Sequence, residues 1–407
     1  MAELPLSRVN EPGPAPSPLR RQLLIGSALS GTSMLLAACG TTISGLGGLG
    51  GRSESPAAPT PLPDAQAPGG KLRVGLILPL SAGGNVGAAA QSLKNAAELA
   101  VSEFNGSEVV LIIKDDRGSP DGAAQAAQEV LADGAQIILG PLLAPTVQAV
   151  GQVAKQANRP VIAFSTDASV ATRGVYLLSF MPETEVDRVV EFAASRGKRS
   201  IAALIPDSAY GNVVAGAFQE AASRRGVRVA LIERYAAPTV DAGAKRIAQL
   251  GAQADALLLP VNAEGINAAT AALSANKIRM QLLGTAAWDD PRVLQNPGVQ
   301  GGWFAAPDKA GYANFAGRYR AKFGMEPVRV ATLAYDAVFL VNALYVKYGA
   351  QAFSDQVLTN SEGIIGTDGL FRFRMDGTNQ RGLAVFQVNN GAATVVSAAP
   401  RAFAPGS

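Results

Sequence analysis

Short apolar runs alternate with amphipathic stretches along the chain from residue 72 onwards. After the first run, Leu93, Ala97, Ala100 and Phe104 recur every three or four positions, which is the spacing of one buried helix face. The same alternation continues through the first half of the chain. The predicted strands there are 72–78, 109–113, 136–139, 161–164 and 175–180, and the predicted helices between them include 123–131 and 145–157.

A second series with the same pattern follows. Its predicted strands are 201–205, 227–232, 256–261, 281–283 and 302–304, and its helices are 212–224, 241–250 and 266–275. Continuous apolar strands between amphipathic helices indicate parallel sheets that are covered on both faces. A helical stretch is predicted at 314–348, and the alternation of apolar and polar residues over 369–396 predicts antiparallel strands.

The two series predict an α/β protein with two doubly wound parallel-sheet lobes. In open α/β sheets, ligands bind beyond the carboxyl ends of the strands. Two such lobes that face each other would form a cleft at a domain boundary, where small-molecule sites are common. The pattern alone therefore favours a binding cleft between the lobes.

Composition excludes several classes of function. The 407 residues carry a formal net charge of +3 without a long basic run, so nothing indicates a nucleic-acid partner. Histidine is absent, which excludes Ser-His-Asp and Cys-His catalysis and His-containing zinc sites. Because no nucleophile-base pair or paired-carboxylate motif replaces it, we expect a binding protein rather than an enzyme, with no cofactor and no metal.

The N-terminus has the features of an export signal. An apolar, small-residue segment at 23–38 follows Arg20 and Arg21 and ends at Cys39, the single cysteine. At about 16 residues it is short for a bilayer span and suits a signal-peptide core. The ending Leu-Ala-Ala-Cys resembles the bacterial lipoprotein signal, in which the cysteine is diacylated and becomes the new N-terminus. This predicts a signal peptide at 1–38 and a lipid anchor at Cys39; the alternative is a transmembrane anchor with an incidental cysteine.

Residues 39–70 are expected to form the lipid anchor and a flexible linker. The segment is rich in Gly, Ser, Pro and Ala and lacks the apolar periodicity that would offset the entropy of ordering it. A flexible chain of this length reaches roughly 30 Å. By resemblance to bacterial sorting rules, Gly40 after the cysteine slightly favours the outer over the inner membrane. Paired arginines are found in twin-arginine and in ordinary export signals, so both routes stay open.

The folded part resembles the type I periplasmic binding proteins, specifically the leucine/isoleucine/valine-binding family. The resemblance covers most of 72–396 and depends on the order of several short motifs. These are GLILPLS at 75–81, Asp115-Asp116, GPL at 140–142, DSAYG at 207–211, GTDG at 366–369, FRF at 371–373 and Asp376-Gly377. The resemblance implies three crossings of the chain between the lobes, near Pro182-Glu183, Ala306-Pro307 and Glu362-Gly363. It thus implies a first lobe of 71–182 plus 307–362 and a second of 183–306 plus 363–400.

Family members hold their ligand in loops after the strands, and the resemblance carries these positions to this chain. The implied ligand-binding residues are Ser81, Leu143, Ala144, Thr146, Ser165, Thr166 and Asp167 in the first lobe and Tyr210, Ala286, Trp288 and Asp289 in the second. Amino-acid binders place a carboxylate for the ligand's ammonium group where this chain has Ala286. Asp167 or Asp289 could substitute for it.

Several of these residues also have structural explanations. Tyr210 could line the cleft or cap its edge, and Trp288 could be a ligand platform or interface surface. Asp167 could pair with an ammonium group or stabilise a turn, and Ser165 and Thr166 could bind ligand or satisfy a helix start.

Two functions fit the sequence. The first is a solute-binding lipoprotein of the periplasm, which captures a small polar, amino-acid-like ligand for an ABC importer and contacts its permease subunits. The second is a regulator, because the lipid anchor, the linker and the altered pocket also resemble lipoprotein activators of penicillin-binding proteins. In that case the partner would be a cell-wall synthase. In both, the membrane is reached through the lipid anchor only.

Overall fold

A computed structural model describes residues 70–104 and 109–403. The predicted signal peptide, Cys39 and nearly all of the linker lie outside the described residues. No helix in the described ranges combines the length and the apolar character that crossing a bilayer requires.

The first lobe is built on a parallel sheet of five strands in the order β2-β1-β3-β4-β5. Leu76 and Leu78 of β1 enter one core and Ile77 between them enters another, so helices cover both faces of the sheet. The elements are β1 (Arg73–Leu78), α1 (Gly84–Glu103), β2 (Val110–Asp115), α2 (Pro120–Ala132), β3 (Ile137–Leu139), α3 (Ala144–Gln156), β4 (Val161–Ala163) and β5 (Val175–Leu177). This confirms the alternation predicted from the sequence.

The second lobe repeats the arrangement with a sheet of seven strands in the order β15-β14-β10-β9-β8-β6-β7. Strands β6 to β10 pair in parallel, and β14 joins β10 in the antiparallel direction. Its elements up to β10 are α4 (Pro182–Ser195), β6 (Ser200–Pro206), α5 (Ala209–Arg225), β7 (Arg228–Tyr235), α6 (Val240–Ala248), β8 (Ala256–Leu258), α7 (Ile266–Ala275), β9 (Gln281–Gly284), α8 (Pro291–Leu294) and β10 (Trp303–Ala306).

The chain then returns to the first lobe. The helical stretch predicted at 314–348 consists of two helices, because Gly324 takes a left-handed conformation (φ 69°) and Pro327 follows it. The elements are α9 (Lys309–Phe323), α10 (Ala331–Tyr348), α11 (Asp355–Leu358), β11 (Ile364–Gly366), β12 (Gly369–Phe373) and β13 (Asn379–Arg381). The last two strands, β14 (Ala384–Asn389) and β15 (Ala392–Ser397), complete the second sheet.

The antiparallel sheet β11-β12-β13 corrects one expected boundary. Phe371 and Phe373 of β12 are buried in the same core as Leu76 and Tyr176, which belong to the first lobe. The segment after residue 363 was expected in the second lobe, but burial of these two rings keeps it with the first. The third crossing therefore lies between β13 and β14, next to Gly382, rather than at Glu362-Gly363. The chain leaves the first-lobe core after β5 and returns to it after β10.

Candidate functional site

The loop after β1 is tied to the loop after β2. The backbone N–H of Ser81 donates to Asp115 Oδ1 over 3.3 Å. Asp116, which is fully buried, accepts from the N–H of Gly118 at 2.8 Å, and burial raises the pKa of its carboxyl group. The Asp-Asp pair therefore shapes the strand ends, and Ser81 itself is exposed beside them.

The loop before α3 does not present the hydroxyl group that the resemblance implied. Thr146 is fully buried, and its Oγ1 donates to the carbonyl of Leu143 at 2.8 Å. No side chain caps this helix, and Pro145 near its start has no N–H to offer. Thr146 is thus a structural residue rather than a ligand-binding one, while Leu143 and Ala144 are partly exposed at the strand tips.

The loop after β4 places a carboxylate at the edge of the first lobe. The buried Ser165 Oγ accepts from the N–H of Asp167 at 3.2 Å, and Asp167 Oδ1 accepts from the N–H of Ser169 at 2.9 Å. These bonds form the turn that the sequence offered as one explanation for Asp167. Both Thr166 and Asp167 are nevertheless exposed, so their side chains remain available to a ligand.

Tyr210 of the second lobe stands at the start of α5. Ser208 caps this helix by accepting from the N–H of Gly211 at 3.1 Å, which fixes the turn that carries the ring. The Tyr210 hydroxyl lies 2.8 Å from Oγ1 of the fully buried Thr285. The ring is about one-third exposed, and burial of the hydroxyl raises its pKa. Tyr210 therefore joins two loops at the tips of β6 and β9.

The segment after β9 departs from what the resemblance implied at two positions. Trp288 is fully buried, its indole N–H donates to the carbonyl of Leu259 at 3.1 Å, and its ring packs near Phe304. It is a core residue, so the interpretation as a ligand platform or interface surface is wrong. Asp289 contacts the ammonium group of Lys309, which makes it an ion-pair partner within the chain rather than a free carboxylate.

Two carboxylates that sequence reasoning missed lie beside this segment. Glu185, in the first turn of α4, accepts from the N–H of Ala286 through Oε2 at 3.0 Å. Glu183, in the same turn, has an Oε2 atom that is shielded from solvent and has no hydrogen-bond partner among the described residues. The sequence signal was Pro-Glu-Thr-Glu at 182–185, but acidic residues in a first turn are common because they favour the helix dipole.

Burial perturbs both of these carboxyl groups. Glu185 is only 8% exposed, and burial raises its pKa from 4.5 to about 7, with Glu183 adding to the shift. Burial also raises the pKa of Glu183, and the carboxylates of Glu220 and Asp167 raise it further. Asp167 belongs to the first lobe, so the pKa of Glu183 responds to charge on both lobes.

A large concave region also lies outside this site. An open groove of about 890 Å³ runs along α3 and the segment before β5. Its lining includes Gln148, Gln152, Lys155 and Arg173, and it contains none of the expected site residues. The groove is therefore separate from the cluster around Glu185 and Tyr210.

The fold and the cluster define a two-lobed binding protein whose candidate site lies at the strand tips between the lobes. The chain belongs to the periplasmic binding protein family, because the model of that family matches residues 71–393. This family comprises periplasmic solute-binding proteins, and the type I fold expected from the sequence is confirmed.

Known proteins of this kind are similar to the chain at low identity. A Leu/Ile/Val-binding protein, BraC3, of Rhizobium johnstonii is 29% identical over 167 residues, which are 38% of this chain and 45% of that protein. The matched stretch thus spans less than half of that relative.

Among solved structures, a candidate branched-chain amino acid ABC transporter from Rhodospirillum rubrum has a TM-score of 0.70 at 20% identity, covering 80% of this chain and 100% of that one. A solute-binding protein from Rhodopseudomonas palustris BisB5, in complex with 3,4-dihydroxybenzoic acid, has a TM-score of 0.56 at 22% identity, covering 81% and 96%. These similarities show the fold.

Proposed function

We propose that this protein is a lipid-anchored periplasmic solute-binding protein that captures a small polar ligand between its lobes for an ABC importer. The observation that supports this most is the cluster of Glu185, Tyr210, Thr285 and Ala286 at the tips of the second sheet. Glu185 lies just after the first crossing, and its neighbour Glu183 is within electrostatic reach of Asp167 in the first lobe. Polar groups that converge between two lobes are typical of a ligand cleft.

Capture follows from the way the lobes are joined. Three short crossings allow two compact cores to rotate relative to each other, and closure around a ligand is a common motion of such proteins. Tyr210 would contribute a partly exposed ring and a hydroxyl group, and Ser81, Thr166 and Asp167 would contribute polar groups from the opposite lobe. The closed form would then be delivered to permease subunits.

The protein would be attached to the membrane through a lipid on Cys39. The Leu-Ala-Ala-Cys sequence at 36–39 supports diacylation of Cys39, and the linker of 40–70 would let the lobes reach roughly 30 Å from the bilayer. Several acyl chains, at about 0.8 kcal/mol per buried CH₂, would hold the protein permanently. Gly40 slightly favours the outer membrane.

Thermal shift against a broad panel of small molecules tests this function. A ligand at 100-fold excess over its Kd stabilises the folded state by roughly 2.7 kcal/mol, which gives a clear rise in Tm. Tyr210→Ala should lower the shift, whereas Tyr348→Ala, in the first lobe at the end of α10, should not. If no small molecule shifts the Tm and the protein instead retains a cell-wall synthase in a pull-down, the regulatory function is favoured and import is not.

A further inference from the structure

We infer that the cleft selects a ligand of net positive charge, an aliphatic amine or guanidine, whose cationic nitrogen lies against Glu185 and Glu183. This inference rests on the proposed function, and it goes further because it names the charge of the ligand and the residues that recognise it. Its basis is a pair of shielded carboxylates at the cleft for which the described part of the chain supplies no cation.

Glu185 is the more deeply buried of the two carboxylates. Its side chain is more than nine-tenths buried, and its one hydrogen bond in the structure is from the N–H of Ala286 at 3.0 Å. A buried carboxylate without a positive partner is costly, and it responds by taking up a proton, as the pKa of about 7 reflects. A cationic ligand would supply the missing partner and remove this cost.

Glu183 adds a second carboxylate to the same turn. Its Oε2 atom is shielded and has no hydrogen-bond partner among the described residues. Every charged neighbour that affects its titration is acidic, namely Glu220 and the cleft residue Asp167. The potential at this point is therefore negative from both lobes, and a single cation between Glu183 and Asp167 would attract the lobes towards each other.

Basic residues near the cluster have partners of their own. Lys309 contacts Asp289, Arg234 pairs with Asp207 at 3.1 Å, and Arg224 pairs with Asp187 at 3.0 Å. Within residues 70–104 and 109–403, no ion pair involves the carboxylates of Glu183, Glu185 or Asp167. Since the described residues supply no cation to these three carboxylates, a cationic ligand is the partner that would let them stay ionised.

The loop before α3, in the opposite lobe, offers little to an anion. The hydroxyl of Thr146 is used by the carbonyl of Leu143, and Pro145 removes one N–H donor from the start of α3. A ligand carboxylate would face the acidic side chains of Glu183, Glu185 and Asp167, so a zwitterion gains less here than a simple cation. The described residues also contain no group of three Asp, Glu or Cys side chains that could hold a metal ion, which favours an organic cation.

The buried position of Glu185, which raises the pKa of its carboxyl group, also predicts proton release when a cation binds. A cation binds the ionised form of Glu185, so the fraction of protein ready to bind grows as the pH rises through about 7. Below that pH the affinity should fall by up to tenfold per pH unit, and above it the affinity should level off. This dependence separates a ligand held by Glu185 from one held elsewhere in the cleft.

Isothermal titration calorimetry with the full chain tests the inference with defined probes. The cationic probes are putrescine and agmatine, and the comparison probes are L-leucine and benzoate. We expect a cationic probe to bind, with a proton release at pH 7 that is measured in buffers of different ionisation enthalpy. Glu185→Gln should weaken binding at least tenfold. The control Glu191→Gln, in the same helix but partly exposed and paired with Arg188, should leave it unchanged.

The outcomes separate this inference from the proposed function. Binding of L-leucine or benzoate, with no binding of either cation, would overturn the cationic ligand but leave the solute-binding function standing. Binding of a cation that is equal in the wild type and in Glu185→Gln would also overturn the inference, provided that circular dichroism shows both to be folded. If none of the probes nor any compound of the broad panel binds, both the inference and the proposed function are wrong.

Discussion

Arg381 donates from Nε to the backbone carbonyl of Ser179 at 2.9 Å, although 202 positions separate the two residues. The bond joins the first crossing to the third, and Asn379 Nδ2 donates to the same carbonyl at 2.8 Å. The Phe180 ring next to it lies between two guanidinium groups, 4.7 Å from Arg329 and 4.8 Å from Arg381. These contacts connect the first and third crossings on the side of the first lobe. We therefore expect the lobes to rotate about the residues that follow the contacts towards the second lobe, at 181–182 and 382–384.

This arrangement makes Arg381 a sensitive position. The side chain is almost fully buried, and the acidic residues Asp336 and Asp368 are close enough to affect its titration. Arg381→Ala should lower the free energy of unfolding by about 1–3 kcal/mol, because it removes the charged Nε hydrogen bond to the Ser179 carbonyl and the stacking on Phe180. Urea denaturation measures the loss. The exposed Arg374→Ala serves as the control and should change stability by no more than about 0.5 kcal/mol; an equal effect of the two substitutions would contradict the account.

The burial of Trp288 leads to a prediction for a glycine. A Cβ atom on Gly284 would lie 2.2 Å from the Trp288 ring, so the close approach of strand and ring requires glycine. Gly284→Ala should therefore destabilise the protein by about 1–3 kcal/mol through overpacking. In contrast, Gly317→Ala, in a helix with open space around it, should be neutral or slightly stabilising. Thermal denaturation of both variants checks this, and a stable Gly284→Ala protein would show that Trp288 is not packed as described.

Glu185 should make stability depend on pH in an unusual direction. Its folded pKa, about 7, lies above the ordinary 4.5, so the folded state holds a proton that the unfolded state has lost. The contribution of Glu185 to the free energy of unfolding therefore falls as the pH rises from about 4.5 to 7, by roughly 3 kcal/mol at most for the full shift. Glu185→Gln should remove this loss. The free energy of unfolding of the variant should therefore rise relative to that of the wild type as the pH increases from about 4.5 to 7.

Urea denaturation of the ligand-free protein at pH 5 and pH 7.5 measures that difference. Asp336, whose pKa is raised to about 6 by burial, contributes a similar slope to both proteins and cancels in the comparison. Parallel stability curves for the wild type and Glu185→Gln would show that Glu185 ionises freely in the folded state.

Much of the fold could be predicted because it depends on local pattern. Apolar runs such as 72–78 and 201–205 mark strands buried on both faces, and that periodicity is visible in the sequence alone. The third crossing could not be placed in this way. Whether Phe371 and Phe373 pack on the first or the second lobe depends on contacts with residues far away in the sequence, such as Tyr176.

The site was less predictable, since the same residue types serve ligands and local structure. The Thr146 hydroxyl donates to a backbone carbonyl, and the Trp288 N–H donates to a carbonyl within the core. Whether such a side chain binds a ligand or a backbone group depends on the residues packed around it, which the sequence pattern does not show. Glu185 was not predicted as a site residue because its position in the site depends on a hydrogen bond with Ala286, which is 101 positions away. Tyr210 was placed correctly at the strand tips because the turn that carries it is a local motif.

The claim on which the account depends is that the lobes close on a small molecule held between them. Small-angle X-ray scattering, with and without a ligand identified by calorimetry, tests it most directly. The account predicts a smaller radius of gyration at saturation, and no such change in Tyr210→Ala at a ligand concentration that saturates the wild type. Saturable binding with identical scattering curves would show that the ligand does not draw the lobes together.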